Sequence, residues 1–316
     1  MFQNVVTLSL NPAIDVTLWL EELVIDGANS VAEERFDAAG KAMNVSRMLK
    51  AFGVDSHAIV VAGKHNLHAY QERLQNEGVD CEYVLLDGYI RENITLVLPD
   101  KTQTRILREG CTVEYEAVEE VCNRLKKCVG NNTLVVISGQ LPKGVSSSVL
   151  KMICNKIYEL GGKIALDTVS VSLEDLYEIR PWVIKPNYAE FCQYVGCAVE
   201  SEEQLIDCAV EMNQHGIEHV LVSLGNDGLL YTGEEACARV EVPVIDVVSS
   251  VGAGDCVLGG FIKAMRCGGN IYKCICTAAA AGTAACLTEG TNPPTKIAMA
   301  NILQQVNCRI LVRSNS

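Results

Sequence analysis

The segment with the clearest chemical potential is a short glycine-rich run that ends in a carboxylate: Gly252, Ala253, Gly254 and Asp255. The two glycines let backbone N–H groups approach an anion, and the helix predicted to start here favours negative charge at its N-terminus. Asp255 can act as a general base beside a bound phosphate, or it can simply cap the helix. An anion hole next to a carboxylate predicts phosphoryl transfer to a hydroxyl group.

Two further polar sites lie near the start of the chain. Lys41 stands at the N-terminus of the first predicted helix, where the helix dipole disfavours a cation, so it is expected either to meet an anionic ligand or to be a solvated lysine. Asp15 follows the first predicted strand, where the open edge of a parallel sheet places ligand contacts, although a turn residue is the alternative.

Two motifs in the second half of the chain have both a structural and a functional interpretation. Asn187 and Glu190 have the spacing of a capping box, and they are also oxygen donors that could hold a hydrated Mg²⁺. Gly225 and Gly228 follow a predicted strand and could lie under a nucleotide or form a plain hairpin turn.

The elements that must position these residues alternate between strands and helices. Predicted helices cover Asn44–Phe52 and Ser201–His215, and helices dominate after Gly252. The predicted strands are short, rich in β-branched residues, and cover Val5–Leu10, Ala58–Val61, Leu134–Ile137, Ile164–Asp167, Val183–Lys185, Val220–Leu224 and Val240–Val248. This alternation predicts one three-layer α/β/α domain over residues 1–316, with a mostly parallel central sheet.

Two charged segments, Asp15–Phe36 and Cys81–Arg108, break this alternation and read as exposed strands. Together they predict a small antiparallel sheet that projects from the main domain as a lid. A sheet of this size would be marginal alone and would expose one apolar face. We therefore expect a homodimer in which two lids pack through the apolar face that carries Val84, Ile94, Leu96 and Leu98.

Composition narrows the classes of partner and compartment. With 26 Lys and Arg against 39 Asp and Glu, the 316-residue chain has a net charge of −13, which argues against a nucleic-acid or anionic-membrane surface. Its 15 cysteines lie mostly in apolar segments and are expected to be free thiols, as suits a reducing cytoplasm. No signal peptide or membrane-spanning segment is expected.

Taken in order, these motifs resemble the PfkB-type carbohydrate kinases of the ribokinase-like fold, from about Val5 to Gly290. The resemblance rests on L-N-P-A-I-D ending at Asp15, A-G-K followed by Asn44, S-G-x-L-P-x-G-V from Ser138, K-P-N-x-x-E, V-S-L-G-x-x-G and V-G-A-G-D. The opening motif is similar to the branch containing 1-phosphofructokinase and tagatose-6-phosphate kinase.

The resemblance implies a role for each matching residue. Asp255 would be the general base, with Gly252, Ala253 and Gly254 as the anion hole. The sugar hydroxyls would be held by Asp15, Gly40 and Asn44, and the phosphate of the substrate by Lys41, Arg91 and Ser138. ATP and Mg²⁺ would be served by Lys185, Asn187, Glu190, Ser223, Gly225 and Gly228, with Asn187 and Glu190 reaching the metal through water.

Departures from the family pattern keep three alternatives open, of which a nucleotide-binding structural protein has the least support. Ala39 and Ala42 stand where the branch usually has glycine, Ser249-Ser250 replaces Asn-Thr, and Leu107–Cys111 lacks the usual asparagine and prolines. A kinase of an unphosphorylated sugar or nucleoside would leave Lys41 and Arg91 without a partner. A catalytically weak sugar-phosphate sensor would fit the two alanines but not the retained Asp255 and anion hole.

Overall fold

The computed structural model describes residues 2–311, which alternate strands and helices through most of their length. The strands are β1 (Asn4–Ser9), β2 (Ala13–Leu20), β3 (Val31–Ala39), β4 (His57–Gly63), β5 (Asp80–Leu86), β6 (Arg91–Val97), β7 (Gln103–Leu107), β8 (Thr133–Ser138), β9 (Lys163–Asp167), β10 (Val183–Ile184), β11 (His219–Ser223), β12 (Leu229–Gly233), β13 (Cys237–Glu241) and β14 (Asn307–Ile310). The helices are α1 (Lys41–Ala51), α2 (Leu67–Asn76), α3 (Tyr115–Cys128), α4 (Ser147–Glu159), α5 (Leu173–Ile179), α6 (Tyr188–Val195), α7 (Glu202–Gln214), α8 (Ala253–Arg266), α9 (Ile271–Ala285) and α10 (Lys296–Leu303).

Ten of these strands form one sheet in the order β14-β13-β12-β11-β10-β9-β8-β1-β4-β5. All pairs from β11 to β5 are parallel, and the pairs from β11 to β14 are antiparallel. The carboxyl ends of the parallel strands therefore meet along one edge, which is where ligands bind in open α/β sheets.

Alternate residues of the central strands enter two different cores. On β8, Val135 and Ile137 pack in the cluster that holds α3 to α7, while Leu134 and Val136 pack in the cluster that holds α1, α8 and α9. A strand buried on both faces reads as a continuous apolar run, which is why the sequence pattern located it. The three-layer α/β prediction is confirmed.

The N-termini of two helices, α1 and α7, differ from the prediction. The first helix begins at Lys41 rather than Asn44 because Gly40, at φ 118°, is its N-cap. Ser201 caps α7 by accepting a hydrogen bond from the Gln204 N–H, but the Gln204 side chain bonds the Glu200 N–H, so the predicted capping box is incomplete.

The strand predicted at Val240–Val248 is wrong beyond Glu241, where β13 ends. Pro243 cannot donate a hydrogen bond to a sheet ladder, so the apolar pattern that follows does not continue the strand. These side chains instead form part of the wall of a cleft.

A second sheet of order β3-β2-β6-β7 forms the lid. The prediction for Cys81–Arg108 was wrong at its start because β5 is the edge strand of the main sheet, and Val84 is buried in the main core. The lid is also mixed rather than antiparallel, because its two hairpins join through a parallel pairing of β2 with β6.

None of the helices within residues 2–311 is long and apolar enough to span a membrane. No disulfide bond links the cysteines of this part of the chain.

Candidate active site

A cleft of about 670 Å³ lies between the lid and the carboxyl edge of the main sheet. All but one of the predicted site residues line it, although they come from segments far apart in the chain. They are Asp15, Gly40, Lys41, Asn44, Arg91, Lys185, Asn187, Glu190, Ser223, Gly225, Gly228, Gly252, Ala253, Gly254 and Asp255. Ser138 is not among the lining residues.

The glycine-rich run forms the N-terminus of α8 at the base of this cleft. Gly252 is the N-cap with φ 77°, and Asp255 lies in the first turn without capping the helix. A side chain on Gly252 would be strained by this φ and would place its Cβ 3.4 Å from the Cα of Thr291. The first N–H groups of a helix have no partner within the helix, so those of this run can bind an anion in the cleft.

Asp255 is buried, with 4% of its surface exposed. Its Oδ2 accepts a hydrogen bond of 2.7 Å from the Asn44 Nδ2. Burial raises the pKa of Asp255 to about 7, assisted by the charge of Asp167 and opposed by Asn44, Lys41 and Lys185. A carboxyl group with this pKa can take up and release a proton near neutral pH.

Asp167 is a buried carboxylate that sequence reasoning missed. It lies between the two lysines of the site, Lys41 and Lys185. Its Oδ2 accepts a hydrogen bond of 3.0 Å from the Ser138 Oγ, and its two oxygens each lie 3.6 Å from a lysine Nζ, that of Lys41 and that of Lys185. Ser138 therefore lies behind the cleft wall and orients Asp167. The available signal was an acidic residue at the end of a predicted buried strand.

Lys41 is not a solvated lysine. Its Nζ lies 3.6 Å from Asp167 and 3.5 Å from Glu190. Although burial opposes its charge, the carboxylates of Asp167 and Glu190 raise the pKa of Lys41 above its ordinary value. The ammonium group therefore remains charged between these two carboxylates in the cleft.

Asn187 and Glu190 form a complete capping box at the start of α6. The Asn187 Oδ1 accepts from the Glu190 N–H, and the Glu190 Oε2 accepts from the Asn187 N–H, both at 2.9 Å. The structural interpretation of this motif is therefore confirmed, and both side chains also line the cleft. Residues 2–311 contain no cluster of three His, Cys, Asp or Glu side chains that could hold a metal.

The lid contributes the opposite wall of the cleft. The Asp15 Oδ1 accepts a hydrogen bond of 2.8 Å from Asn93, its register partner on β6. Burial raises the pKa of Asp15 above its ordinary value, while Asn93 opposes the shift. Arg91 and Arg105 also line the cleft, and the buried Arg91 Nε has no hydrogen-bond partner in the described structure.

Asn93 and Arg105 are site residues that sequence reasoning missed. Successive side chains of a strand point to opposite faces, and the register Ala13↔Arg91, Asp15↔Asn93 and Thr95↔Arg105 puts these polar residues on the face toward the cleft. Their shared face depends on the pairing of β6 with β2 and β7, which the sequence alone did not define.

The third wall combines a tight turn with apolar side chains. Ser223 ends β11, and a 3₁₀ turn at Gly225–Asp227 leads into β12, which confirms the predicted hairpin. Facing it are the apolar residues that follow β13 and one side of α9: Val242, Pro243, Ile245, Val247, Ala279 and Gly282. A planar, mostly apolar group with a few polar edges would fit between these surfaces.

The two alanines that depart from the expected glycine pattern lie outside the cleft. Ala39 is 2% exposed and Ala42 is fully buried, and neither is among the residues that line the cleft. Their methyl groups therefore do not narrow it.

Known proteins resemble this chain in both sequence and fold. The family model described as pfkB family carbohydrate kinase matches residues 2–298. The chain is 30% identical to a 1-phosphofructokinase of Haemophilus influenzae, over 82% of this chain and 83% of that one. It is 31% identical to a tagatose-6-phosphate kinase of Staphylococcus epidermidis, over 83% and 85%. A crystal structure of phosphofructokinase-2 from Escherichia coli, 24% identical, superimposes with a TM-score of 0.89 over 96% of this chain and 99% of that one.

Proposed function

Because the chain belongs to the pfkB family of carbohydrate kinases, we propose that it transfers the γ-phosphoryl group of ATP to a hydroxyl group of fructose 1-phosphate or tagatose 6-phosphate. The observation that carries this proposal is the buried Asp255 at the N-terminus of α8, with a pKa of about 7. In this proposal Asp255 takes the proton from the attacking hydroxyl. The N–H groups of Gly252, Ala253 and Gly254 stabilise the charge that develops on the transferred group.

Asn44 supports an acceptor hydroxyl next to Asp255. Its Nδ2 donates to Asp255, while its Oδ1 is buried and finds no hydrogen-bond partner within residues 2–311. An unpaired buried acceptor is costly, and a sugar hydroxyl that donates to it would remove that cost. Asp15 and Gly40 line the same end of the cleft. We therefore assign sugar hydroxyls to these three residues.

The nucleotide is assigned to the opposite end, near Ser223, Gly225 and Gly228. The apolar surface there suits an adenine base, and a side chain on Gly254 would place its Cβ 3.0 Å from the Lys185 Nζ. Lys185 therefore lies over the anion hole, where it can contact the phosphates of ATP.

Asn187 and Glu190 fit a hydrated Mg²⁺ better than a directly bound one. Their side-chain oxygens line the cleft but already accept backbone hydrogen bonds, and no cluster of three acidic, His or Cys ligands exists in residues 2–311. Mg²⁺ keeps several waters and binds proteins through few groups beside substrate phosphates. When bound, it would neutralise charge on the ATP phosphates.

The cations of the lid favour a substrate that already carries a phosphate. Among the described residues, the buried Nε of Arg91 has no hydrogen-bond partner and Arg105 has no carboxylate partner. A phosphate group would satisfy both guanidinium groups. Lys41 already forms ion pairs with Asp167 and Glu190. We therefore assign it a smaller part in binding this phosphate than the sequence pattern indicated.

The alternatives are less well supported. A kinase of an unphosphorylated sugar or nucleoside leaves the lid arginines without a function, and the buried positions of Ala39 and Ala42 remove the main argument for a catalytically weak sensor. A screen of ATP consumption over fructose 1-phosphate, tagatose 6-phosphate, fructose, tagatose and adenosine decides between them. Turnover of the free sugars as fast as their phosphates, or of adenosine alone, would contradict the proposal.

A homodimer through the lid also remains our proposal. The register places Phe36, Val16, Ile94 and Ile106 in one row on the lid face opposite the polar one. Phe36 and Ile106 are each 49% exposed, so the outer part of this row is open to a second copy. We further propose a cytoplasmic location, where the cysteines stay reduced.

A further inference from the structure

A ring of charged residues joins the lid to the glycine-rich run of the cleft. It includes three arginines and three acids from four separate segments, and we call it the charged ring. Its members are Arg35 and Asp37 on β3, Arg73 and Glu77 on or after α2, Arg47 on α1, and Glu289 in the loop that connects α9 to α10.

The lid half of the ring is a chain of ion pairs. The Arg35 Nε lies 2.8 Å from Asp37 Oδ2, and Arg73 Nη2 lies 3.4 Å from Asp37 Oδ1. The Arg73 Nε lies 3.1 Å from Glu77 Oε1. Asp37 is only 2% exposed, so the two arginines neutralise a buried charge and fix β3 against α2.

The other half runs from α2 into the α9–α10 loop. Arg47, 3% exposed, makes a two-point contact with the Glu77 carboxylate, and its Nη2 lies 2.9 Å from Glu77 Oε1. Its Nη1 donates to the Thr291 Oγ1 at 3.0 Å and to the Thr291 carbonyl at 3.3 Å. Buried and satisfied contacts of this kind hold a loop in one conformation.

Glu289 and Gly290 bring this loop into contact with Arg35 of the lid, and this contact closes the ring. The Glu289 Oε2 accepts from the Arg35 Nη1 at 3.0 Å. The backbone of Gly290 lies so close to Arg35 that a Cβ there would come within 2.1 Å of its Nη2. The lid strand and the loop therefore touch directly as well as through the ion pairs.

The same loop supports the anion hole. Thr291 packs against Gly252, the N-cap of α8, with 3.4 Å between the Thr291 Cα and the position of a Cβ on Gly252. At the start of the loop the Cys286 carbonyl accepts from the N–H groups of Val248 and Ser249, at 2.8 and 3.3 Å. The conformation of the loop thus sets the backbone that leads into Gly252.

We propose that Arg47 and Thr291 are positioning residues for the anion hole, and that the charged ring couples the position of the lid to the phosphoryl-transfer end of the cleft. A substrate that draws the lid inward shifts Arg35, and Arg35 acts on the loop that holds Gly252. The coupling part rests on the proposed function, because it needs a ligand under the lid. The positioning part does not.

The coupling is tested by binding alone, without turnover. The affinity of the full-length protein for a non-hydrolysable ATP analogue with Mg²⁺ is measured with and without fructose 1-phosphate, and again with tagatose 6-phosphate. We expect the sugar phosphate to tighten nucleotide binding by about 5-fold or more, within the usual range for coupled sites. In Glu289→Ala this factor should fall toward one.

Glu218→Ala is the matched control, because Glu218 is also an exposed acid, paired with Lys163, and lies far from the ring. It should keep the wild-type factor. A factor in Glu289→Ala equal to that of the wild type, or a wild type that binds both ligands independently, would overturn the coupling.

The positioning role is tested by hydrogen exchange of the backbone amides of residues 248–256 in Thr291→Val. Valine keeps the shape of threonine but cannot accept from Arg47. We expect exchange in this segment to rise roughly 10-fold, because loss of a charge-assisted hydrogen bond costs about this factor or more. Thr277→Val, a buried threonine on α9 whose hydroxyl only bonds its own helix, is the control.

Unchanged exchange in Thr291→Val would overturn the positioning role. On the substrate that the screen identifies, Thr291→Val should lower kcat and leave the sugar-phosphate KM near the wild-type value, a division that a general loss of stability does not produce. A wild type that binds neither sugar phosphate would refute the proposed function, and the exchange experiment would still decide the role of Thr291.

Discussion

At the scale of single residues, Asp255 is buried and accepts a hydrogen bond from Asn44. Its replacement by asparagine should therefore affect turnover much more than nucleotide binding. Asp255→Asn removes the general base but keeps the shape of the side chain, so kcat should fall by roughly 10²–10⁴-fold. Nucleotide binding should change only a few-fold, because the anion hole is made of backbone N–H groups. Steady-state kinetics and nucleotide titration of the purified variant measure both.

Asp207→Asn controls for the loss of one negative charge, because Asp207 is exposed on α7. Turnover in Asp255→Asn within a few-fold of that of Asp207→Asn would rule out the base assignment.

The raised pKa of Asp255 predicts opposite effects of pH on activity and stability. The base must be ionised, so kcat/KM should fall as pH drops through about 7. The folded protein binds a proton here more tightly than the unfolded chain, whose Asp pKa is near 3.8, so this group's contribution to stability decreases as pH rises from about 4 to about 7. Asp255→Asn should remove this penalty.

Chemical unfolding at two pH values checks the stability part. At pH 8 the variant should be more stable than the wild type, by on the order of a few kcal/mol, while near pH 4 the difference should be small. A variant that is equally or less stable than the wild type at pH 8 would contradict the assigned pKa.

At the scale of single residues, the order of the motifs located the cleft well because each motif ends a strand or begins a helix. Asp255, Gly252 and Lys185 were found this way, and their roles stay predictions. Asp167 was missed because one acidic residue after an apolar run is common in proteins and carries no spacing signal. Its importance depends on Lys41 and Lys185, which only the fold brings to it.

At the scale of elements, the lid has one polar face and one apolar face. The arginines of the polar face predict how the KM for the sugar phosphate should change when they are replaced. Arg91→Met and Arg105→Met should each raise the sugar-phosphate KM by about 10- to 100-fold, because each removes hydrogen bonds to a charged group. The ATP KM should change little. Arg108→Met is the control, since Arg108 lies in the same segment but pairs with Glu92 and does not line the cleft. Equal effects of the three substitutions would refute the phosphate site.

The lid also shows why some elements could not be predicted. Its strands were visible as alternating residues, but their partners were not, so β5 was assigned to the wrong sheet and β2 and β6 were expected to be antiparallel. The end of β13 was missed for a different reason. Four residues of the segment Val240–Val248, namely Val242, Pro243, Ile245 and Val247, line a cleft, and cleft walls and strands share the same residue types.

At the scale of the whole molecule, the exposed half of the apolar row predicts a dimer. Light scattering at micromolar concentration should give twice the chain mass of 34.3 kDa. Phe36→Glu or Ile106→Glu should give monomers, because each would place an unpaired charge in the contact between two lids. Ile297→Glu is the control, since Ile297 is exposed on α10, away from the lid. A wild-type particle of one chain mass would refute the dimer.

The parallel pairing of β2 with β6, which joins the two lid hairpins, also affects the order in which the chain folds. The Asp15–Asn93 hydrogen bond joins residues 78 positions apart, and the chain between them builds α1, β4, α2 and β5 of the main domain. On the ribosome, β2 and β3 emerge long before β6 and can pair only with each other. Contacts of such high sequence separation form late, after the loop that they close has been organised by other means. We therefore expect the lid to be completed only after the β4–β5 edge of the main sheet has formed, so its two hairpins reach their final pairing at different stages of synthesis.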